Sequence, residues 1–211
     1  MKHASAPKSP ATLRWGCAFP CPALPALGTA AYAQTGPVDG ELESVSLLRP
    51  PQDSWPTYHG DYSGRRHSAL TQITPDNVRT LALQWAFQTN SAQQVKATPI
   101  LVDGIVYLTA PDNLWAIDAR SGRQIWRYQH PANDAFHIGH RGAAVHGDSV
   151  FLTTPDAHLL AFDRFNGKLK WNVEVADSAR GFWSTNAPLV IGEHDIVGVS
   201  GDFDNMAGTL R

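Results

Sequence analysis

Through the middle and last third of the chain the apolar residues come in short runs, without the three-to-four spacing of a helix. Ile100-Leu101-Val102 is followed by Asp103-Gly104 and then by Ile105-Val106-Tyr107-Leu108-Thr109. Ala144-Val145, His146-Gly147-Asp148 and Val150-Phe151-Leu152-Thr153 repeat that order, and Leu189-Val190, Gly192 and Ile196-Val197-Gly198-Val199 begin it again. Such runs, rich in Val, Ile and aromatics and bounded by Gly, Asp and Pro, predict strands joined by tight turns. Val102, Val145 and Val190 fall at nearly the same phase of the three units.

A longer period lies over these runs. The stretch from Ala116-Ile117-Asp118 through Gly122 to Trp126 returns forty-five residues on as Ala161-Phe162-Asp163 through Gly167 to Trp171. The shared pattern is a strand ending in Asp, a tight turn closed by Gly, and a strand closing on Trp, so each copy predicts a hairpin. With the two strands upstream, each period holds four short antiparallel strands. That is the size of a propeller blade, whose small sheet buries both faces only by stacking on its neighbours. The fold class expected is therefore all-β: a partial β-propeller with tryptophan-docking repeats, about two full blades and parts of two others. Leu81-Ala82-Leu83-Gln84-Trp85-Ala86-Phe87 reads as the closing strand of an earlier blade. Closure takes about 4 to 8 blades, so an open fragment of a longer protein is expected.

The N-terminal region changes the picture of what folds. Residues 1–33 contain Lys2, Lys8 and Arg14 but no acid, then a weakly apolar stretch from Trp15 ending in Ala31-Tyr32-Ala33 before Gln34. This order predicts a cleaved secretory signal peptide, with a disordered tail as the alternative. Pro20, Pro22 and Pro25 interrupt the apolar part, so no stable membrane span is expected. Residues 34–54 then read as a linker and 55–211 as the partial propeller. Cys17 and Cys21 are the two cysteines and both fall in the removed segment, leaving no disulfide and no thiolate metal site. Removing three basic residues makes the chain more acidic than its formal charge of −2, which argues against a nucleic-acid partner. At 43% hydrophobic and 17% charged, the remainder can bury a substantial core.

The most specific stretch is Trp55-Pro56-Thr57-Tyr58-His59-Gly60-Asp61-Tyr62-Ser63-Gly64-Arg65-Arg66-His67-Ser68, followed by Leu70, Ile73, Asn77-Val78 and Leu81. Together with the Trp repeat it resembles the quinoprotein alcohol and methanol dehydrogenase family, from about Trp55 to Arg211. The resemblance implies an eight-bladed propeller with pyrroloquinoline quinone on the axis and a calcium ion beside it. Three carboxylates on the quinone call for fixed cations and inward hydroxyl or amide donors. On the matching motifs, Arg141 in His140-Arg141-Gly142, Thr185 before Asn186-Ala187-Pro188, and the pair Ser200-Gly201 become cofactor-binding candidates. The plain alternatives are a surface ion pair for Arg141 and ordinary strand hydroxyls for Thr185 and Ser200.

Departures from the family pattern matter too. Lys96, before Ala97-Thr98-Pro99, stands where many members have Glu; it either pairs with a cofactor carboxylate or points to solvent. Ala135-Phe136 replaces the family's adjacent cysteines. The position of the family's calcium-binding Glu falls near Phe203, so Asp202 and Asp204, with Asn205, become candidate metal donors, against the reading of an ordinary Asp-rich turn. His130, His137, His140 and His146 show no zinc-site spacing and read as part of a polar loop.

The resemblance implies oxidation of a primary alcohol, or a sugar or polyol, in the periplasm, with hydride passing to the quinone and cytochrome c as a possible electron acceptor. The family's catalytic Asp, its calcium-ligating Asn and the Trp beneath the ring come from later blades, so these 211 residues are expected to be inactive by themselves. No C-x-x-C-H is present for covalent haem. The alternative is a cofactor-free propeller scaffold of the outer-membrane assembly type. Arg141, Thr185 and Ser200 distinguish the two: converging for the quinoprotein, facing outward for the scaffold.

Overall fold

The computed structural model describes residues 47–50, 52–91, 94–131, 139–201 and 206–210, the last stretch as backbone. All belong to one compact unit, Asp39–Arg211. The expected signal peptide with both cysteines, most of the linker, Ala135-Phe136, His137, and the candidate metal donors Asp202, Asp204 and Asn205 lie outside the described residues.

Four strands, β1 (Ile100–Val102), β2 (Ile105–Ala110), β3 (Asn113–Asp118) and β4 (Gln124–Gln129), form an antiparallel sheet in sequential order. The turn between β1 and β2 is two residues long, with Asp103 at φ 50° and Gly104 at φ 73°. Positive φ at both central positions matches the twist of the flanking strands. A second sheet repeats the first: β5 (Ala144–His146), β6 (Ser149–Thr153), β7 (His158–Asp163) and β8 (Leu169–Glu174). These are the two blades that the forty-five-residue period predicts. The turns fix the alignment between blades: Val102 pairs with Ile105, His146 with Ser149 and Ile191 with His194. The residue equivalent to Val145 and Val190 is therefore Leu101, one position before the Val102 that the sequence phase suggests.

Alternate residues on each strand serve different neighbours, as a pleated sheet requires. Ile100, Val102, Tyr107, Leu114 and Ala116 from the first blade pack with Val145, Val150, Leu152, Leu160 and Phe162 from the second. Trp115 and Ile117 face the other way, toward Phe87. On its far side the second blade packs Phe151, Leu159 and Ala161 against Val190 and Val197. Burying one such aliphatic or aromatic side chain stabilises by about 1.5–3 kcal/mol, so blade-to-blade contact supplies most of the core.

Trp85 and Trp126 each dock on the turn of the next blade. Trp126 donates from Nε1 to the Arg164 carbonyl at 3.0 Å, and a Cβ on Gly167 would stand 2.7 Å from its ring. Trp85 does the same one blade earlier, donating to the Ala119 carbonyl at 3.0 Å with its ring against Gly122. The turn beneath is preorganised by its Asp: Asp163 Oδ1 accepts from the amides of Phe165 and Asn166, as Asp118 Oδ1 does from Arg120 and Ser121. Leu81–Phe87 differs from the expected closing strand. Trp85 is seated, but the segment joins no ladder, since no strand beside it is among the described residues.

A third unit starts with the hairpin β9 (Leu189–Ile191) and β10 (His194–Ile196). The run expected to continue to Val199 breaks at the buried Val197, and β11 (Gly198–Gly201) instead pairs with β12 (Met206–Leu210). Trp55 joins the inner edge of the first blade, its amide and carbonyl bonded to Leu101 at 2.7 and 2.9 Å. Farther along this lead-in, the Tyr62 hydroxyl donates to the Val190 carbonyl of the third unit. Among the described residues no helix is long and apolar enough to cross a membrane.

Candidate functional site

Short extended segments precede the first strand of each blade, and backbone hydrogen bonds tie them together along one edge. Val95 pairs with His140, the Thr98 amide donates to the Arg141 carbonyl at 3.2 Å, and the Arg141 amide donates to the Thr185 carbonyl at 2.9 Å. Trp183 and Ser200 exchange both backbone bonds at 2.9 Å. Lys96, Arg141, Thr185 and Ser200, spread over more than a hundred residues of sequence, thus fall on one connected rim. Gly201 follows Ser200 at the end of β11 and is buried.

Arg141 is exposed and borders a cavity of about 500 Å³ between the lead-in and the second and third units. Pro56, Tyr58, Ala143, Ala144, Val145, Pro188 and Val190 form its apolar wall, and His59, Asp61 and Asn186 join Arg141 as the polar part. No carboxylate among the described residues pairs with the Arg141 guanidinium. Lys96 is exposed and lays its methylenes over Gly139, where a Cβ would come within 2.6 Å of Lys96 Cδ. That packing explains a glycine at φ 132° and fixes the stem of the lysine while leaving its head in water.

Further groups gather beside the cavity. Arg66 donates from Nη2 to the Thr98 hydroxyl at 3.2 Å and lies over the Tyr58 ring, 5.1 Å from its centroid. Asp61 is engaged locally: the Ser63 hydroxyl and amide donate to its Oδ1 and, with Arg65 nearby, hold its carboxyl below the usual range. Thr57 Oγ1 and Trp183 Nε1 are buried without a hydrogen-bond partner. Burial pushes the Tyr62 hydroxyl upward, so it stays a neutral donor.

Of the rim candidates only Arg141 lines the apolar-walled cavity, with the orphaned Thr57 hydroxyl beside it, while Lys96, Thr185 and Ser200 lie along the rim outside its lining. That set fits a flat, polyanionic ligand of modest size. Among the described residues no group of three His, Cys, Asp or Glu side chains converges, and the candidate donors Asp202 and Asp204 lie outside them. His130 and His140 depart from the polar-loop reading. His130 is buried, 3.0 Å from Asp156, with the Tyr128 hydroxyl 3.0 Å from its Nδ1, and His140 is 1% exposed.

The family described as "Glucose/ethanol/alcohol dehydrogenase, beta-propeller domain" matches residues 55–198. The chain belongs to the PQQ-dependent dehydrogenase family. It is 38% identical over 155 residues to the 1-butanol dehydrogenase (cytochrome c) of Thauera butanivorans, covering 70% of this chain and 22% of that protein. With the quinohemoprotein alcohol dehydrogenase of Comamonas testosteroni it shares 35% over 190 residues, 82% of this chain and 27% of the relative. A solved quinohemoprotein alcohol dehydrogenase of Pseudomonas putida superposes with a TM-score of 0.73 at 32% identity, over 82% of this chain and 26% of that one. The chain thus spans about a quarter of the length of these members of the PQQ family.

Arg66, Tyr58 and Asn186 were not candidates from sequence. Asn186 was within reach, because it follows Arg141 by the same forty-five residues that separate Arg141 from Lys96. Arg66 carried no signal beyond membership of the lead-in motif.

Proposed function

We propose that the protein to which these residues belong is a PQQ-dependent alcohol dehydrogenase, and that this chain supplies part of its quinone pocket. The observation that carries the reading is the rim itself: Arg141 beside an open cavity, bonded through its amide to Thr185, with Lys96 and Ser200 on the neighbouring segments. Arg141 and Lys96 would meet quinone carboxylates, the Arg as a planar fork and the Lys as a point charge on a packed stem. Thr185 and Ser200 would donate hydroxyls at the ring edge, with the Gly201 backbone beside them. Bound quinone would supply the two-electron acceptor for a CH–OH carbon. The substrate proposed is a primary alcohol, with a sugar or polyol as the broader class, and the acceptor of the released electrons is a cytochrome c.

Calcium belongs to the same proposal, with Asp202 and Asp204 as local oxygen donors suited to a hard cation. Export to the periplasm through a signal peptide at 1–33 completes it. The cavity is lined by no base placed to take an alcohol proton except Asp61 and His59, and Asp61 is already engaged by Ser63. Because the resemblance assigns the catalytic Asp to later blades, the 211-residue chain by itself is expected to reduce no dye in the presence of alcohol.

The test is a titration of pyrroloquinoline quinone into the complete protein with calcium, followed by tryptophan fluorescence. Arg141→Ala should weaken quinone binding roughly ten- to a hundredfold, the loss of one charge-assisted contact. Unchanged affinity in that variant would remove Arg141 from the site, and no binding by the wild type would remove the dehydrogenase reading.

A further inference from the structure

Arg141 has a side chain that must be aimed, and the residue before it is unusually constrained. His140 is 1% exposed and sits between Gly139 at φ 132° and, one residue on from Arg141, Gly142 at φ 142°. Its Nδ1 lies 3.2 Å from the Gly142 amide and 2.8 Å from the Thr109 hydroxyl. Its Nε2 lies 3.0 Å from the Thr153 carbonyl and 3.1 Å from the Thr153 hydroxyl. Thr153 in turn donates its hydroxyl to the Asn186 carbonyl at 2.6 Å.

These partners leave little freedom in where the protons sit. A backbone amide only donates, so Nδ1 is the bare acceptor; a backbone carbonyl only accepts, so Nε2 carries the hydrogen. The Thr109 hydroxyl then donates to Nδ1, and the Thr153 hydroxyl is directed to Asn186. A second proton on Nδ1 would face the Gly142 N–H at close range in a buried interface. Thr109 belongs to β2 of the first blade and Thr153 to β6 of the second, both fully buried, while Asn186 precedes the third unit. The imidazole thus joins the first two blades directly and reaches the third unit through the Thr153 hydroxyl, and Arg141 is the next residue in the chain.

We infer that His140, neutral and protonated at Nε2, is a positioning residue: it locks the inner rim across three blades and thereby sets the direction of Arg141. The inference rests on the quinone reading only for its consequence, since the lock exists without a ligand. Packing alone would need only an apolar side chain of similar volume. The lock needs a donor and an acceptor on opposite sides of one ring, which no apolar residue supplies and a glutamine partly does.

Nitrogen NMR of the complete protein near neutral pH tests the tautomer directly, with a bare Nδ1 and a slowly exchanging Nε2 proton expected. A protonated Nδ1 overturns the inference. In His140→Leu the Arg141 amide should exchange at least about tenfold faster while those of Val150 and Phe162 keep their rates, and His140→Gln should restore part of the protection. Equal exchange at Arg141 in wild type and His140→Leu overturns it; if the Leu variant does not fold, the tautomer and the Gln variant decide. Quinone titration separates the two readings. His140→Leu should weaken binding when Arg141 is present and add nothing in Arg141→Ala, whereas an equal loss in both backgrounds would show that His140 does not act through Arg141. If the wild type binds no quinone, the proposed function fails, and the NMR still judges His140.

Discussion

Burial lifts the Asp195 carboxyl above the ordinary carboxylate range, the charge of His146 offsets this only in part, and Oδ1 has no hydrogen-bond partner. A raised value in the folded state means that folding favours the protonated form, so stability falls as pH climbs through that value. Asp195→Asn should therefore raise the urea midpoint at neutral pH and lose that advantage in acid, measured as paired unfolding curves. Asp156 behaves in the opposite sense. Burial pushes it up, but the Thr154 hydroxyl and then His130 outweigh this and hold it below the usual range. Its contribution is present above the unfolded carboxylate value and is lost as pH falls through the lower folded one. Asp156→Asn should lower the urea midpoint at neutral pH, and the two denaturation curves should draw together in acid as the folded carboxyl becomes protonated. Neither effect was legible in the sequence. His130 stands twenty-six residues from Asp156 and His146 forty-nine from Asp195, distances that no local pattern spans.

At the scale of the hairpin much more could be read in advance. The Asp, the Gly four residues later and the Trp four residues after that define the docking motif, because each has a local reason: a turn cap, a left-handed backbone and a ring to cover the next turn. Gly104 and Gly167 both stand at φ 73°, but a Cβ would meet nothing within 4 Å at Gly104 and the Trp126 ring at 2.7 Å at Gly167. Gly104→Ala should therefore cost only the backbone strain of about 1–2 kcal/mol, and Gly167→Ala a further amount of similar size for the displaced ring. Equal losses in thermal or urea unfolding would mean that the docking contact has little weight. The same motif is less complete at Trp171, which is 38% exposed where Trp126 is 8%, since no turn among the described residues covers it. Leu81–Phe87 failed as a strand for a related reason: a run of apolar residues pairs only when a neighbouring edge is there to receive it.

Across the whole molecule the blades are stabilised mainly by one another. Phe162 is fully buried between the Trp126 and Tyr128 rings, 6.4 and 4.5 Å between centroids. Phe162→Ala should cost about 3–5 kcal/mol and lower the melting of both blades together in a single calorimetric transition. Separate melting of the blades would contradict this shared core. By itself the sequence determined the blade, its period, its turns and the Trp slot, because those depend on residues within one or two hairpins of each other. It also supplied Lys96, Arg141, Thr185 and Ser200 as candidates, through motifs rather than contacts. Only the tertiary structure decided that these four share a rim, that Tyr58 and Asn186 wall a cavity beside Arg141, and that His140 is a buried lock. Those facts follow from stacking blades around one edge, which brings together positions one full repeat apart that no local pattern connects.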